Sequence, residues 1–251
     1  VFSRVLYEVY INSQLFFNRL DSYIFICKSQ VYRLIFVSKQ KIPSYHPFLD
    51  YMKHLPQWDG QDRVTNLAKR ISNDMLWIQG FRLWMLGMAA QWTGKEMIHA
   101  NALVPLLISH QQGLQKSTFC KLLVPNELQA YYTDSFDLAS PAAAEQKLAL
   151  FGLINLDEFD KISEKKMPLL KNLLQMSRLN IRKSHQSNYS SLPRVASFIG
   201  TSNQKELLTD PTGSRRFLCI EVSEEIDSSS INHAQLYAQL KTLLNQGKRY
   251  W

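Results

Sequence analysis

Cysteine is scarce in this chain: 251 residues carry three, Cys27, Cys120 and Cys219. Their number is odd, they lie far apart and their neighbours are apolar. A disulfide framework and a cysteine-based metal site are therefore excluded, and Cys120 reads as helix packing rather than a nucleophile. Thiols of this kind suit a reducing compartment, so a cytoplasmic location is expected. Long apolar runs are missing as well. None approaches the roughly 20 residues of a membrane-spanning helix, because Arg, Lys or Gln interrupts each one. The opening residues, VFSRVLYEVY, have no basic segment leading into an apolar core, so no secretory signal is read. The chain does not open on methionine and reads as a fragment or an excised domain.

What is present describes a globular α/β protein with no membrane partner. Hydrophobic residues make up 45% and charged residues 20%, enough for one large core or two modest ones. The formal net charge of +8 favours polyanionic partners, although the position of the charge says more than its sum. Residues 1–44 alternate apolar and polar with many aromatic and β-branched positions and end in a linker; they stay unassigned. Residues 45–100 show helical periodicity: HPFLDYMKHL, then a helix through Val64, Leu67, Ala68 and Ile71, then a long apolar helix over 77–92. Residues 101–222 alternate strands with helices. Strands are expected at 103–108, 150–156, 195–200 and 217–222, and helices at 116–123, 141–150 and 167–176. That order predicts a parallel sheet covered on both faces. Residues 223–251 read as a polar loop and an amphipathic helix.

The stretch LLISHQQGLQKSTFCK organises the rest. A buried strand runs into a short polar loop, and Lys116-Ser117-Thr118 opens a helix. Strand, loop, Lys-Ser/Thr, helix is the layout of a phosphate-binding loop: backbone N–H groups cradle phosphates, the lysine reaches terminal phosphate oxygens and the hydroxyl binds Mg²⁺. Gln112, Gly113, Leu114, Gln115, Lys116, Ser117 and Thr118 are the expected nucleotide contacts. Two positions depart from the usual pattern. His110 stands at the leading glycine and Gln115 at the second, where the backbone lies close to phosphate. A side chain is tolerated there where φ is negative; otherwise the departure points to a weakened or lost ATPase.

Downstream polar residues fall at the ends of the other strands. Asp157 suits a Mg²⁺-organising carboxylate, together with Ser117, and Glu158 suits the base that polarises water. Asn203 can hold that water. Arg215 and Arg216, after a Gly-Ser turn, can stabilise developing phosphoryl charge from across a subunit interface; spacing does not say which. In open parallel sheets ligands bind beyond the carboxyl ends of the strands, and the loop, Asp157-Glu158 and Asn203 all belong there. Between them, residues 178–194 carry Arg178, Arg182, Lys183, His185 and Arg194 with Tyr189 interleaved and no acid. Charge for phosphates and a ring for stacking suit single-stranded DNA.

Taken together, HPFLDYMKHLPQWDGQDRV, QGLQKSTFCKLLVP, LINLDEFDK, LPRVASFIGTSN and DPTGSRRFLCIEV resemble the virulence-associated E family over roughly residues 45–222. The resemblance implies a P-loop NTPase core related to superfamily 3 and AAA+ helicases, with an N-terminal helical subdomain. It implies a primase-helicase-like protein of phages and mobile elements, acting as a hexameric ring and often joined to an N-terminal primase-like domain. It assigns Lys116 and Ser117 to phosphate and Mg²⁺, Asp157 and Glu158 to the acidic motif, Asn203 to the sensor and Arg215 or Arg216 to an arginine finger in trans. It also places a DNA-contacting β-hairpin in the interval that holds residues 178–194. The first reading is thus an ATP- and Mg²⁺-dependent motor domain engaging single-stranded DNA. The rivals are a non-hydrolysing P-loop-like module that binds DNA or recruits a partner, and a small-molecule kinase.

Overall fold

The computed structural model describes residues 45–93, 99–182, 189–204 and 214–250. The mixed structure expected for residues 1–44 lies outside them. Three helices come first: α1 (Pro47–Lys53), α2 (Arg63–Lys69) and α3 (Met75–Trp92). Each begins where a side chain can accept from a free backbone N–H. His46 accepts from Leu49, Asp62 from Thr65 and Asp74 from Trp77, which relieves the orphan donors of a first turn. The sheet and its connections follow: β1 (Val104–Ile108), α4 (Lys116–Leu122), β2 (Tyr132–Thr133), α5 (Pro141–Leu150), β3 (Leu153–Leu156), α6 (Met167–Gln175), β4 (Arg178–Arg182), β5 (Tyr189–Pro193), β6 (Ser197–Ser202), β7 (Phe217–Glu221) and α7 (His233–Asn245).

The main sheet has the order β2-β3-β6-β1-β7, and every pairing in it is parallel. Its central strands, β1, β3 and β6, are buried along their whole length, as expected when helices cover both faces. One face carries Leu107, Leu153 and Ile199 and packs on α1, α2, α3, α4 and α7. The other carries Leu106, Ile154, Leu156 and Phe198 and packs on α5 and α6. The helices of residues 45–100 and the C-terminal helix thus share one core with the sheet, and boundaries drawn at 100 and 223 fall inside that core. Trp84 shows why α3 is buried on most sides: its indole N–H donates to the Phe198 carbonyl at 2.9 Å beneath the sheet.

Two strand boundaries differ from the sequence reading. The apolar run at 150–156 begins as helix, because the Phe151 N–H still donates to Lys147, and the strand opens only at Leu153. The run at 195–200 shifts two residues later. The N–H groups of Val195 and Ala196 both donate to the Leu148 carbonyl instead of the sheet, so β6 starts at Ser197 and reaches Ser202. That shift carries Thr201 and Ser202 into the strand and sets Asn203 just beyond its end. At Gly200 a Cβ would meet a Leu106 methyl at 2.7 Å and the Leu156 carbonyl at 3.1 Å, so only glycine lets β6 lie this close to its neighbours.

The basic interval, where the resemblance implies a β-hairpin, holds an antiparallel pair, β4 against β5, with Arg182 opposite Tyr189. Leu179 is buried in the core shared with α5 and α6 and anchors one strand.

Candidate functional site

Parallel strands end side by side, and here three of them end in polar residues. β1 runs into Ser109 and the loop that returns through α4. β3 runs into Asp157-Glu158, and β6 into Asn203. Residues far apart in sequence thereby surround one cavity of about 370 Å³, lined by residues 112–118, Asp157, Glu158, Thr201 and Asn203.

Lys116 is only 9% exposed. Its Nζ donates to Asn203 Oδ1 at 2.9 Å and to the Ser109 carbonyl at 3.2 Å. Burial pulls the ammonium below its ordinary pKa, and the charges of Asp157 and Asp160 oppose that shift. One oxygen of Asp157 accepts from both Ser117 Oγ (2.9 Å) and Thr201 Oγ1 (2.6 Å). A hydroxyl and a carboxylate side by side are the minimal protein contribution to a Mg²⁺ site, which draws its other ligands from phosphate and water. Among the described residues no group of three or more His, Cys, Asp or Glu is arranged to hold a metal unaided. The residues present therefore fit a cation that arrives with its phosphates.

Backbone strain collects at the same place. The non-glycine residues with positive φ among those described are Gln115 (61°) and Glu158 (51°), and both line the cavity. Gln115 therefore does not take the negative φ under which a side chain is readily tolerated at this position. The left-handed turn into α4 is kept at a cost of about 1 kcal/mol that glycine would avoid. Gln115 Nε2 donates to Glu225 Oε1 at 3.3 Å, which draws the side chain toward the segment after β7. Glu158 pairs with Lys161 at 2.6 Å, both side chains being well exposed. His110, at the leading glycine position, is exposed and stands apart from the cavity lining.

Other expected site residues lie elsewhere. Arg215 and Arg216 occupy a short turn, Ser214–Arg216, immediately before β7. Because β7 runs parallel to β1, this turn is at the opposite edge of the sheet, about 16 Å of strand away from the cavity. Arg216 faces the Gln175 amide at the end of α6, where that amide, turned to present its oxygen, accepts from the guanidinium. The hairpin also springs from that opposite edge, where β6 begins. Arg178 Nε donates to Ser191 Oγ at 3.0 Å, and Tyr189 is 69% exposed. Lys183, His185 and the Arg182 side chain lie outside the described residues.

Arg194 is a correction. It was expected on the DNA-facing loop, yet it is 1% exposed. Its guanidinium donates to the carbonyls of Ala196, Leu173, Leu174 and Asn101 and lies over the Phe198 ring at 5.3 Å. Two of those carbonyls close the last turn of α6, where a cation is favoured. Burial pulls its pKa down to about 9, so it remains a cation at neutral pH, with its donors turned inward.

Two residues that the sequence reading passed over support the site, Thr201 in the cavity lining and Asp160 behind it. Thr201 bridges Asp157 and the Glu158 N–H, which reaches its hydroxyl at 3.4 Å. Asp160 accepts from Ser202 Oγ at 2.8 Å and from the Asn203 N–H at 3.3 Å. The signal for both was present: a Thr-Ser-Asn run at a strand end facing an Asp-Glu-Phe-Asp turn.

A parallel sheet in this order, with a lysine-bearing loop after β1 and a carboxylate after β3, the next strand but one across the sheet, defines a P-loop-type α/β domain. Residues 52–251 match the virulence-associated protein E-like domain, and the chain belongs to that family. No curated protein matches it. Among solved structures it resembles the apo structure of the NrS-1 C-terminal region, residues 305–718. That match has TM-score 0.50 and 18% identity and covers 77% of this chain and 46% of that one. It also resembles an A-form apo structure of the NrS-1 C-terminal region, with TM-score 0.52 and 16% identity, covering 86% of this chain and 59% of that one. The chain thus spans about half the length of these structures, and at such identity the likeness is one of fold.

Proposed function

We propose that this domain is the ATP-hydrolysing motor of a replication-type helicase that engages single-stranded DNA. The observation that carries the reading is the paired contact at the cavity: Lys116 on Asn203, and Ser117 with Thr201 on Asp157. Phosphoryl transfer needs little beyond positioned charge, and these residues are the charges and dipoles it uses. Lys116 trades its Asn203 contact for terminal phosphate oxygens. Ser117 and Asp157 would hold the nucleotide's Mg²⁺, which would supply positive charge against the phosphates. Asn203, once released by Lys116, orients a water for attack on the terminal phosphorus. Glu158 takes the proton from that water as the bond to the departing diphosphate breaks.

Among the described residues no arginine lines the cavity. Arg215 and Arg216 stand at the far edge of their own sheet, which supports a finger acting on a neighbouring copy in a ring. Family membership supports a replication role, and the hairpin with Arg178 and Tyr189 supports contact with a nucleic acid strand.

Two observations favour a second reading, a P-loop-like module that binds without hydrolysing. Gln115 keeps a glycine conformation at the loop, and Glu158 is engaged by Lys161. The deciding test is titration with a fluorescent ATP analogue and Mg²⁺, with and without single-stranded DNA, alongside steady-state turnover. Saturable binding that is lost in Lys116→Ala, with turnover at least about 100-fold lower in that variant, is the expected result. Unchanged turnover in Lys116→Ala would remove the loop from the reaction. Binding without any turnover would leave the second reading in place.

A further inference from the structure

The turn after β3 carries three acids within four positions, Asp157, Glu158 and Asp160, and each has a different partner. Asp157 faces the hydroxyls of Ser117 and Thr201. Glu158 faces Lys161. Asp160 turns back across the sheet edge to the end of β6. Its Oδ1 accepts both the Ser202 hydroxyl (2.8 Å) and the Asn203 backbone N–H (3.3 Å). Asn203 lies just past the last strand residue, so the sheet no longer dictates its backbone. Its side-chain oxygen is nevertheless the group that meets Lys116 at 2.9 Å. Something must hold that turn. Ser202 Oγ also accepts from the Gln204 N–H at 3.0 Å, which closes the turn on its far side. Ser202 and Asp160 together therefore hold the backbone on both sides of Asn203.

We propose that Asp160 is a positioning residue for the hydrolytic step: it fixes the turn that aims the Asn203 amide, and it acts through Asn203 rather than on the nucleotide. The assignment deepens the ATPase reading and rests on it. Asp160 is absent from the cavity lining, while Asn203 and Asp157 are part of it. Its charge agrees with this role. Burial opposes ionisation, but the Ser202 hydroxyl and the Asn203 N–H outweigh it and hold the carboxyl below its ordinary range. A single oxygen takes both hydrogen bonds, so an asparagine amide oxygen at the same place can accept both as well. Acceptor geometry, rather than negative charge, is what the turn requires.

The test compares Asp160→Ala, Asp160→Asn, Asn203→Ala and the double variant Asp160→Ala/Asn203→Ala, all in the full chain. Three readouts are used: steady-state hydrolysis of ATP, affinity for the fluorescent ATP analogue, and exchange protection of the Asn203 amide by NMR. Asp160→Ala is expected to lower kcat about tenfold with affinity for the fluorescent ATP analogue unchanged, because a misaimed positioning group costs turnover rather than binding. Asp160→Asn is expected to stay within about threefold of the parent and to keep the Asn203 amide protected. In the Asn203→Ala background the Asp160→Ala change is expected to cost almost nothing more, since the two act in series. Additive losses, or Asp160→Asn as impaired as Asp160→Ala, would overturn the proposal in favour of a direct electrostatic role. An Asn203 amide equally protected in Asp160→Ala would also overturn it. A parent chain that does not turn over ATP would sink the ATPase reading alone, and the amide readout would still decide whether Asp160 holds Asn203.

Discussion

At the start of β6, Gln91, Asn101, Arg194 and Ser197 form a polar network with no water-facing side; at its end, Lys116, Asp157, Thr201 and Asn203 form another around an open cavity. Both hold a cation in a largely buried setting. In the first, every guanidinium nitrogen ends on a backbone carbonyl, and Gln91 Oε1 accepts from the Asn101 N–H and Ser197 Oγ. That cluster is consumed in joining α3, α6, the hairpin base and β6. In the second, the lysine is held by one side-chain amide and one carbonyl, the backbone is strained at Gln115 and Glu158, and the carboxylates face solvent. A satisfied network resists change. A partly satisfied one, held in strained backbone, is ready to exchange partners with a ligand.

The largest effect that tests this contrast is Arg194→Met. It takes a donor from four buried carbonyls, of which Ala196 keeps the Gln91 amide and Leu173 keeps the Met176 N–H, and a loss of about 3–5 kcal/mol in unfolding free energy by denaturant titration is expected. A variant of unchanged stability that loses DNA binding would reverse the assignment and return Arg194 to the DNA surface. Lys116→Ala should do the opposite: turnover collapses, while the thermal midpoint moves by only a few degrees. Asp62 offers a control at neither edge. It caps α2, and although burial opposes its ionisation, the Gln239 amide, the Thr65 N–H and hydroxyl and the Arg82 charge hold its pKa at about 2. A folded value below the unfolded one, near 3.9, means its contribution is present above about pH 4 and is lost as pH falls toward 2. Asp62→Ala should cost about 1 kcal/mol at pH 7, discounted for its partial exposure, and the deficit should fade across that acid window. The smallest effect is expected from Gln115→Gly. Relief of the left-handed strain should roughly balance the entropy of glycine, leaving stability within about 0.5 kcal/mol and nucleotide affinity equal or slightly higher. A large loss of affinity would show that the Gln115 contact to Glu225 shapes the loop.

Much of this was legible in the chain. Pro47, Asp62 and the Ser140-Pro141 pair mark helix starts through capping chemistry that acts over three or four residues. The apolar runs of β1, β3 and β6 announce strands buried on both faces. Lys116, Ser117, Asp157, Glu158 and Asn203 could be placed at one edge because strand-helix alternation dictates parallel strands, and parallel strands share an edge. Arg194 could not be read correctly, since a basic residue beside other basic residues looks solvated until the carbonyls that claim it are in place. The backbone of Gln115 was likewise hidden, because a residue type states a preference for φ and not its value.

Local signals therefore determined what the elements are and which residue types stand at their ends. The tertiary structure decided what those residues touch. Thr201 and Asp160 became part of the site only when β6 slipped two residues past its apolar run, a register set by Leu148 accepting from Val195 and Ala196. The hairpin and the Arg215-Arg216 turn went to the far edge because β6 and β7 begin there. Propensity and capping are properties of neighbours along the chain, whereas hydrogen-bond partners and burial are properties of neighbours in space, and this domain's chemistry rests on the second kind.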